Sequence, residues 1–382
     1  MGKHLKIINP QVTLVSDSSI WIEGKAIAQL EKTAQLPGMI ATAGMPDLHP
    51  GRGYPIGAAF LSKNKLYPAL VGNDIGCGMS LWHTNLKSQK FKFDKLINRL
   101  GSVDEPLDSS WEQDVKHKMR QENVEHLNPQ ALGTIGGGNH FAEFQQIDHV
   151  YDKSVVTSLG LSKQSVLLLI HSGSRGIGQQ ILRQHVEKFG HQGLTDKTDD
   201  AEEYLLAHNN ALRFAELNRY FIAQRILQKI GFHGKQLFDI NHNLVTPMII
   251  DNERFWLHRK GATPSNEGMV IIPGSRGDYS YLLEPLPSKE TLWSLAHGAG
   301  RKWMRSECKG RLSKRYSHFK ELEKTPLGSR VICQDKALLY EEAPEAYKSI
   351  NSIIDYLQTS GLVKVLARFK PLLTYKTKLI GR

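Results

Sequence analysis

The residues able to do chemistry fall in five short segments. Asn73-Asp74-Ile75-Gly76-Cys77-Gly78-Met79 holds a carboxylate and a thiol three residues apart, with glycines around the thiol. Both can face one metal ion, and a thiolate can bridge two, because sulfur keeps spare lone pairs. The plainer alternative is a turn with a buried cysteine. Gly136-Gly137-Gly138-Asn139-His140-Phe141-Ala142-Glu143 puts an amide, an imidazole and a carboxylate within one turn. Its glycines let backbone amides approach an anion closely. Here the alternative is a flexible loop followed by a polar helix start. His171 closes the apolar run Val166–Ile170, and His242 follows the apolar Leu237–Ile240. Polar groups at strand ends are where α/β proteins place sites. One such histidine is ordinarily structural. Two of them, with His140, Cys77 and Asp74, make a metal site the simpler reading. His297 lies in Ala296-His297-Gly298-Ala299-Gly300-Arg301. The glycines around Ala299 are costly inside a helix and make sense if something large approaches His297. An imidazole there can attack an activated phosphorus and form a phosphoramidate, a good donor because the nitrogen leaves easily. The alternative is a helix end with an incidental histidine.

These groups need a mixed α/β scaffold to meet. Val166–Ile170, Leu237–Ile240, Phe255–Leu257 and Val270–Ile272 read as buried strands. Residues from Asp200 to Ile230 read as one long helix, capped by Thr198 or Asp199 and ended by Gly231. Ser288 is expected to cap a second helix running into Ala296. Residues 339–360 read as a third, with Pro344 near its start. The polar stretch 101–128 reads as a helical surface excursion or a flexible insertion. Glycines after His171 are spaced Gly-x-x-Gly-x-Gly, which is not the dinucleotide fingerprint, so a nicotinamide site is rejected. No linker divides the chain, and residues 1–382 read as a single domain.

Composition narrows the class. Of 382 residues, 40% are hydrophobic and 23% charged, which excludes a disordered, fibrous or coiled-coil chain. The longest apolar run, Val166–Ile170, is far too short for a bilayer. The start, Met-Gly-Lys-His-Leu-Lys, shows no apolar signal region. Three scattered cysteines, Cys77, Cys308 and Cys333, make no disulfide framework and point to a reducing cytoplasm. The net charge of +11 favours a polyanion such as RNA or DNA, or a phosphate-rich substrate. Sixteen histidines exceed what composition alone calls for.

On these segments the chain resembles the RtcB RNA ligases. The likeness runs through Met45-Pro46-Asp47-Leu48-His49-Pro50-Gly51, Pro55-Ile56-Gly57, Asp74 to Met79, Gly136 to Phe141 and His171-Ser172-Gly173-Ser174-Arg175-Gly176. It continues through His258-Arg259-Lys260-Gly261-Ala262-Thr263, Pro273-Gly274-Ser275 and His297-Gly298-Ala299-Gly300-Arg301. The resemblance implies an α/β domain of the RtcB type, with mixed β-sheets surrounded by helices. It implies two manganese ions with GTP beside them. Cys77 would bridge both ions, Asp74 and His140 would complete one, and His171 and His242 the other. His297 would be the nucleophile that accepts GMP. Asn139, Glu143 and Ser275 would hold GTP, with Gly298, Ala299 and Gly300 beside it. Lys376, in Pro371-Leu372-Leu373-Thr374-Tyr375-Lys376-Thr377, matches a guanine-binding lysine, and Tyr347 would pack near the guanine.

The implied reaction joins an RNA 3′-phosphate or 2′,3′-cyclic phosphate to a 5′-hydroxyl, as in RNA repair or tRNA splicing. Arg175, Arg259, Lys260 and Arg301 are expected to contact RNA ahead of the basic residues of 301–320. Thr377, Lys302-Trp303-Met304-Arg305 and Arg276 depart from the common family pattern. Together with the shorter chain, they resemble a compact subgroup that can sit beside a release-factor-like hydrolase. Two alternatives remain open. One is a dinuclear-metal phosphoesterase on nucleic-acid ends, which would not need His297. The other is a non-catalytic RNA-binding protein.

Overall fold

The structure is a computed structural model and describes residues 5–316 and 318–378. The first four residues of the N-terminal segment read above lie outside it, as do residues 379–382. Among the described residues, no helix is long and apolar enough to cross a membrane.

Two large sheets carry the architecture. One runs Lys6–Asn9, Val12–Leu14, Met39–His49, Ile56–Ser62, Glu253–Lys260, Asn243–Ile250. The other runs Gly234–Asn241, Gly78–Lys87, Ser165–Ser172, Phe141–Val150, Val363–Thr377, Ser280–Pro285, Val270–Pro273, with Arg330–Cys333 pairing parallel to Val363–Thr377. Ala43, Leu61 and Leu257 of the first share one buried cluster with Leu81, Leu167 and Leu169 of the second. The opposite face of the second sheet presents Trp82, Leu168 and Ile170 to Ile222 and Ile226 of the helix Asp199–Ile230. Strand Ser165–Ser172 is therefore covered on both faces, which is why it reads as a continuous apolar run rather than an alternation.

The helix Asp199–Ile230 forms as its sequence predicts. Thr198 precedes it in extended conformation, acidic residues fill its first turn, and Gly231 ends it at φ 79°. Two other expectations are corrected. Residues 288–296 form turns and then the short strand Ser294–Ala296, not a helix, because Leu292 and Trp293 adopt φ 51° and 47°. Residues 339–360 do not form one helix. The helix Lys336–Glu341 stops, Pro344–Ala346 makes a single tight turn, and Ser349 caps a new helix, Ile350–Thr359. Ala343, before the proline, is extended, as the proline ring requires. Within 101–128 the helix Glu112–Gln121 packs Val115 and Met119 against Phe214 and Phe221 of the long helix, so this stretch is anchored rather than loose.

Candidate active site

Strand register brings the scattered chemical residues together. Four neighbouring strands of the second sheet end side by side at one edge. Gly78 pairs with both Asn241 and Ser172, and His171 pairs with both Met79 and Phe141. Cys77 precedes the first of these strands, His140 precedes Phe141, His171 lies within its own strand, and His242 follows Asn241. Adjacent strands lie about 4.8 Å apart, so residues distant in sequence arrive within reach of one ion. Asn139, His140 and Glu143 do not share a helical turn as expected, since Phe141 opens an extended strand.

Cys77 Sγ lies 3.3 Å from His140 Nε2 and 3.1 Å from His171 Nε2. His171 Nε2 lies 3.3 Å from His242 Nε2, and His140 Nε2 lies 2.9 Å from Asp74 Oδ2. All four of Cys77, His140, His171 and His242 are buried. His171 Nδ1 donates to the Asn139 carbonyl at 3.2 Å, which turns the bare Nε2 toward the sulfur. Gly173 is needed here, because a Cβ on it would come within 2.3 Å of Asp74 Oδ1.

Burial, reinforced by Asp74, pushes the Cys77 thiol well above its ordinary value. Burial also pushes His171 and His242 well below the ordinary imidazole value, and the neighbouring rings add to this. Burial alone would raise Asp74, but adjacent His140 outweighs it and holds the carboxyl below its usual range. Neutral imidazoles, a buried sulfur and a carboxylate converging on one point suit a divalent ion of borderline softness. Lone pairs facing one another in a dry interior are relieved by a cation. The side chains fit the metal that the family resemblance implies.

Beside this cluster sits His297, its ring 4.8 Å from that of His242. Its Nδ1 lies 2.7 Å from Asp47 Oδ2, and its backbone N–H donates to the same oxygen at 3.2 Å. Asp47 is fully buried in the irregular part of strand Met39–His49, where pairing shifts between Gly44 and His49. A bulge of this kind re-aims a side chain. Gly300, at φ 71°, lets the two loops touch, since a Cβ there would lie 2.3 Å from the Asp47 carbonyl oxygen. Lys348 clamps the same loop, its ammonium donating to the carbonyls of Pro46 and Leu48 at 2.9 Å each.

Arg219, from the middle of the long helix, braces the whole edge. Its guanidinium donates to the carbonyls of Gly76 and Ser172 at 2.6 and 2.8 Å, pairs with Asp239, and reaches Asn241 Oδ1 at 2.7 Å. Asp47, Arg219 and Lys348 are site residues that the chemistry-led reading did not single out. A buried arginine inside an otherwise apolar helix face was the available signal for Arg219.

The residues expected to hold a nucleotide lie on two sides. Glu143 is buried, accepting from Thr374 Oγ1 at 2.5 Å and Gln145 Nε2 at 2.7 Å, and burial raises it to about 7. Lys376 is buried 3.5 Å from Glu342, which also meets Arg301, the Tyr347 hydroxyl and, at 4.0 Å, Arg305. Ser275 is buried, and Gly298–Gly300 follow His297 directly. A cavity of about 360 Å³ opens between Gly136–Gly138, Arg175, Asp335, Leu338 and Glu341.

The expected RNA contacts divide. Arg175 borders that cavity, with Nε on Thr134 Oγ1 at 3.2 Å. Arg301 is spent on Glu342, the Tyr347 hydroxyl and the Glu341 carbonyl. Lys260 reaches the Ala69 carbonyl at 3.3 Å. Arg259 is corrected: it is 1% exposed and turned inward to Ser294 Oγ and the Trp293 carbonyl, so no phosphate backbone can reach it.

With this geometry in hand, comparison with known proteins is specific. The family described as tRNA-splicing ligase RtcB matches residues 29–127 and 103–377. An Escherichia coli protein named RNA-splicing ligase RtcB2 is 50% identical over 376 residues, 98% of each chain. Proteins named tRNA-splicing ligase RtcB from Archaeoglobus fulgidus and Nanoarchaeum equitans are 31% and 30% identical, covering 92% and 93% of this chain and 91% and 92% of their own. Matched along nearly its whole length, the chain belongs to the RtcB family.

Proposed function

We propose that this chain is a GTP- and manganese-dependent RNA ligase acting as one catalytic unit over residues 1–382. It joins RNA ends carrying a 3′-phosphate or 2′,3′-cyclic phosphate to 5′-hydroxyl ends. The observation that carries the reading is His297. It stands beside the Cys77–His140–His171–His242 cluster with Nδ1 engaged by Asp47, leaving Nε2 as its reactive nitrogen.

In the first step His297 Nε2 attacks the α-phosphorus of GTP. A phosphorus–nitrogen bond forms and pyrophosphate leaves. Asp47 accepts the Nδ1 proton in a hydrogen bond and stabilises the positive charge that develops on the ring. In the second step an oxygen of the RNA 3′-phosphate attacks the adduct, the phosphorus–nitrogen bond breaks, and the RNA end becomes a pyrophosphate linkage to guanosine. A cyclic end is first opened by water. In the third step the 5′-hydroxyl attacks the RNA phosphorus and GMP departs. Two manganese ions held by Asp74, Cys77, His140, His171 and His242 would supply charge neutralisation on the phosphates. Asn139, Ser275 and Gly298–Gly300 would face the nucleotide, with Glu143, Tyr347 and Lys376 toward the base.

Three buried free thiols suit a reducing compartment, and we place the protein in the cytoplasm. The likeness to the compact subgroup extends the reading to repair of cleaved RNA in company with a release-factor-like hydrolase.

Incubation with α-labelled GTP and manganese tests this. The protein should retain label as an acid-labile, alkali-stable adduct, and His297→Ala should abolish it. Unlabelled protein that still strips terminal phosphates would instead be a metal-dependent phosphoesterase.

A further inference from the structure

The positive charge of this chain is not spread evenly. Residues 301–320 carry eight lysines and arginines against a single carboxylate, Glu307, a net charge of +7 in a chain whose total is +11. The structure folds part of this segment into the helix Arg305–Leu312. Cys308 and Leu312 form its inner stripe, buried against Leu338 and Leu339. Arg305 and Lys309 therefore share an exposed stripe one turn apart.

That stripe begins at the cavity. Arg305 Nη1 lies 3.2 Å from where a Cβ of Gly138 would stand, and the packed neighbour helix supplies the cavity residues Leu338 and Glu341. The arginines of the segment are largely committed: Arg311 pairs with Glu307 at 3.2 Å and Arg315 with Glu345 at 3.1 Å. Lys302, Lys309 and Lys314 are exposed and have no carboxylate partner among the described residues. The half-buried Trp303 ring has two cations over it, Lys302 at 5.8 Å and Arg311 at 5.2 Å from its centre.

We propose that Lys302, Lys309 and Lys314 form a track for the phosphates of a single RNA strand, leading from the cavity rim outward along the helix Arg305–Leu312. Free ammonium groups on a solvated face suit a flexible polyanion, which binds by releasing counterions. A membrane surface fits less well, because Met304 is the one large apolar side chain exposed in this segment among the described residues, too little to insert. This track rests on the ligase reading for its RNA end, but its test does not.

The experiment compares wild type with Lys302→Glu/Lys309→Glu/Lys314→Glu and with the gentler triple alanine variant. Binding of 3′-phosphorylated RNAs of about 4 and about 16 nucleotides is measured by fluorescence anisotropy across a salt series, alongside labelling by GTP. For the longer RNA, affinity should fall about tenfold or more in the glutamate variant, and the salt slope should shrink by about 2, the value for three phosphate contacts on a single strand. The short RNA should bind alike in all three proteins, and GTP labelling, which takes no RNA, should be unchanged. An unchanged slope and affinity for the longer RNA would overturn the track. So would lysine-dependent binding to phosphatidylserine vesicles with none to RNA. Wild-type protein that takes no label yet binds the longer RNA through these lysines would sink the ligase reading and keep the track.

Discussion

Asp47 Oδ2 lies 2.7 Å from His297 Nδ1, joining residues 250 positions apart. In the proposed reaction this contact decides which ring nitrogen attacks. A carboxylate on Nδ1 holds the proton there and leaves the lone pair on Nε2. Asp47→Asn keeps the volume but can present an amide N–H to Nδ1, which favours the opposite tautomer. Formation of the proposed GMP adduct should slow by a factor of about 10⁴, the size of the loss when an Asp–His pair becomes Asn–His, while metal content and melting temperature stay near wild type. Unchanged adduct kinetics in a folded variant would remove Asp47 from the mechanism.

Lys348 acts one step further back. It touches no reacting atom, yet it ties the carbonyls on both sides of Asp47 and, through its backbone N–H, the Gly300 carbonyl at 3.0 Å. Lys348→Met should slow adduct formation by about tenfold and leave GTP affinity intact, since displacing a positioned group costs rate before it costs binding. A loss of GTP affinity without loss of rate would contradict a positioning role.

How much of this could be read from residue order is clear from these same positions. His171 and His242 were legible because each follows an apolar run that becomes a strand, whereas Cys77 and His140 stood out only through the glycine-rich segments that hold them. Asp47 was visible only as part of a Pro-Asp motif, since nothing near it in sequence reveals a bulge or a partner far down the chain. Arg219 sat inside a helix that the apolar period identifies well, but its four partners come from three different strand ends. The two misread helices failed for local reasons. Leu292 and Trp293 take left-handed backbone that no propensity predicts, and Pro344 starts only a single tight turn that separates the helices Lys336–Glu341 and Ile350–Thr359. Arg259 looked like a surface cation because charge alone does not tell which way an alternating strand residue faces.

Arg219 should therefore be the costliest single loss at the site edge. It is fully buried and ion-paired with Asp239, whose side chain is 11% exposed. Arg219→Met strands that carboxylate and frees two backbone carbonyls. Removing one partner of such a pair typically costs about 3–5 kcal/mol. Urea unfolding should show that loss. A variant with wild-type stability that still held metal would mean the strand ends brace themselves.

Metal uptake should release protons and strengthen with pH. The Cys77 thiol is pushed well above its ordinary value by burial and by Asp74, so the metal-free protein carries that proton through neutral pH. A bound cation must displace it. Titration calorimetry with manganese in buffers of different ionisation enthalpy should report proton release near neutrality, and Cys77→Ala should reduce it by one. Equal release from both proteins would show that sulfur is not a ligand.

Glu143 gives a pH signature that does not depend on metal. Burial raises its carboxyl from about 4.5 to about 7, against the opposing hydrogen bonds from Thr374 and Gln145. The folded state thus binds this proton more tightly than the unfolded chain. Its contribution to stability is fully present below about pH 4.5 and is lost as pH rises through about 7, by up to about 3 kcal/mol at 1.36 kcal/mol per pH unit. Glu143→Gln keeps both hydrogen-bonding neighbours in place and cannot ionise. Its stability relative to wild type should climb between pH 4.5 and 7 and level off above. The climb is checked by urea unfolding at pH 5, 6, 7 and 8, values that bracket the shifted carboxyl. A pH-independent difference between the two proteins would mean that Glu143 is already ionised when buried, with a cation beside it such as Lys376 supplying the compensation.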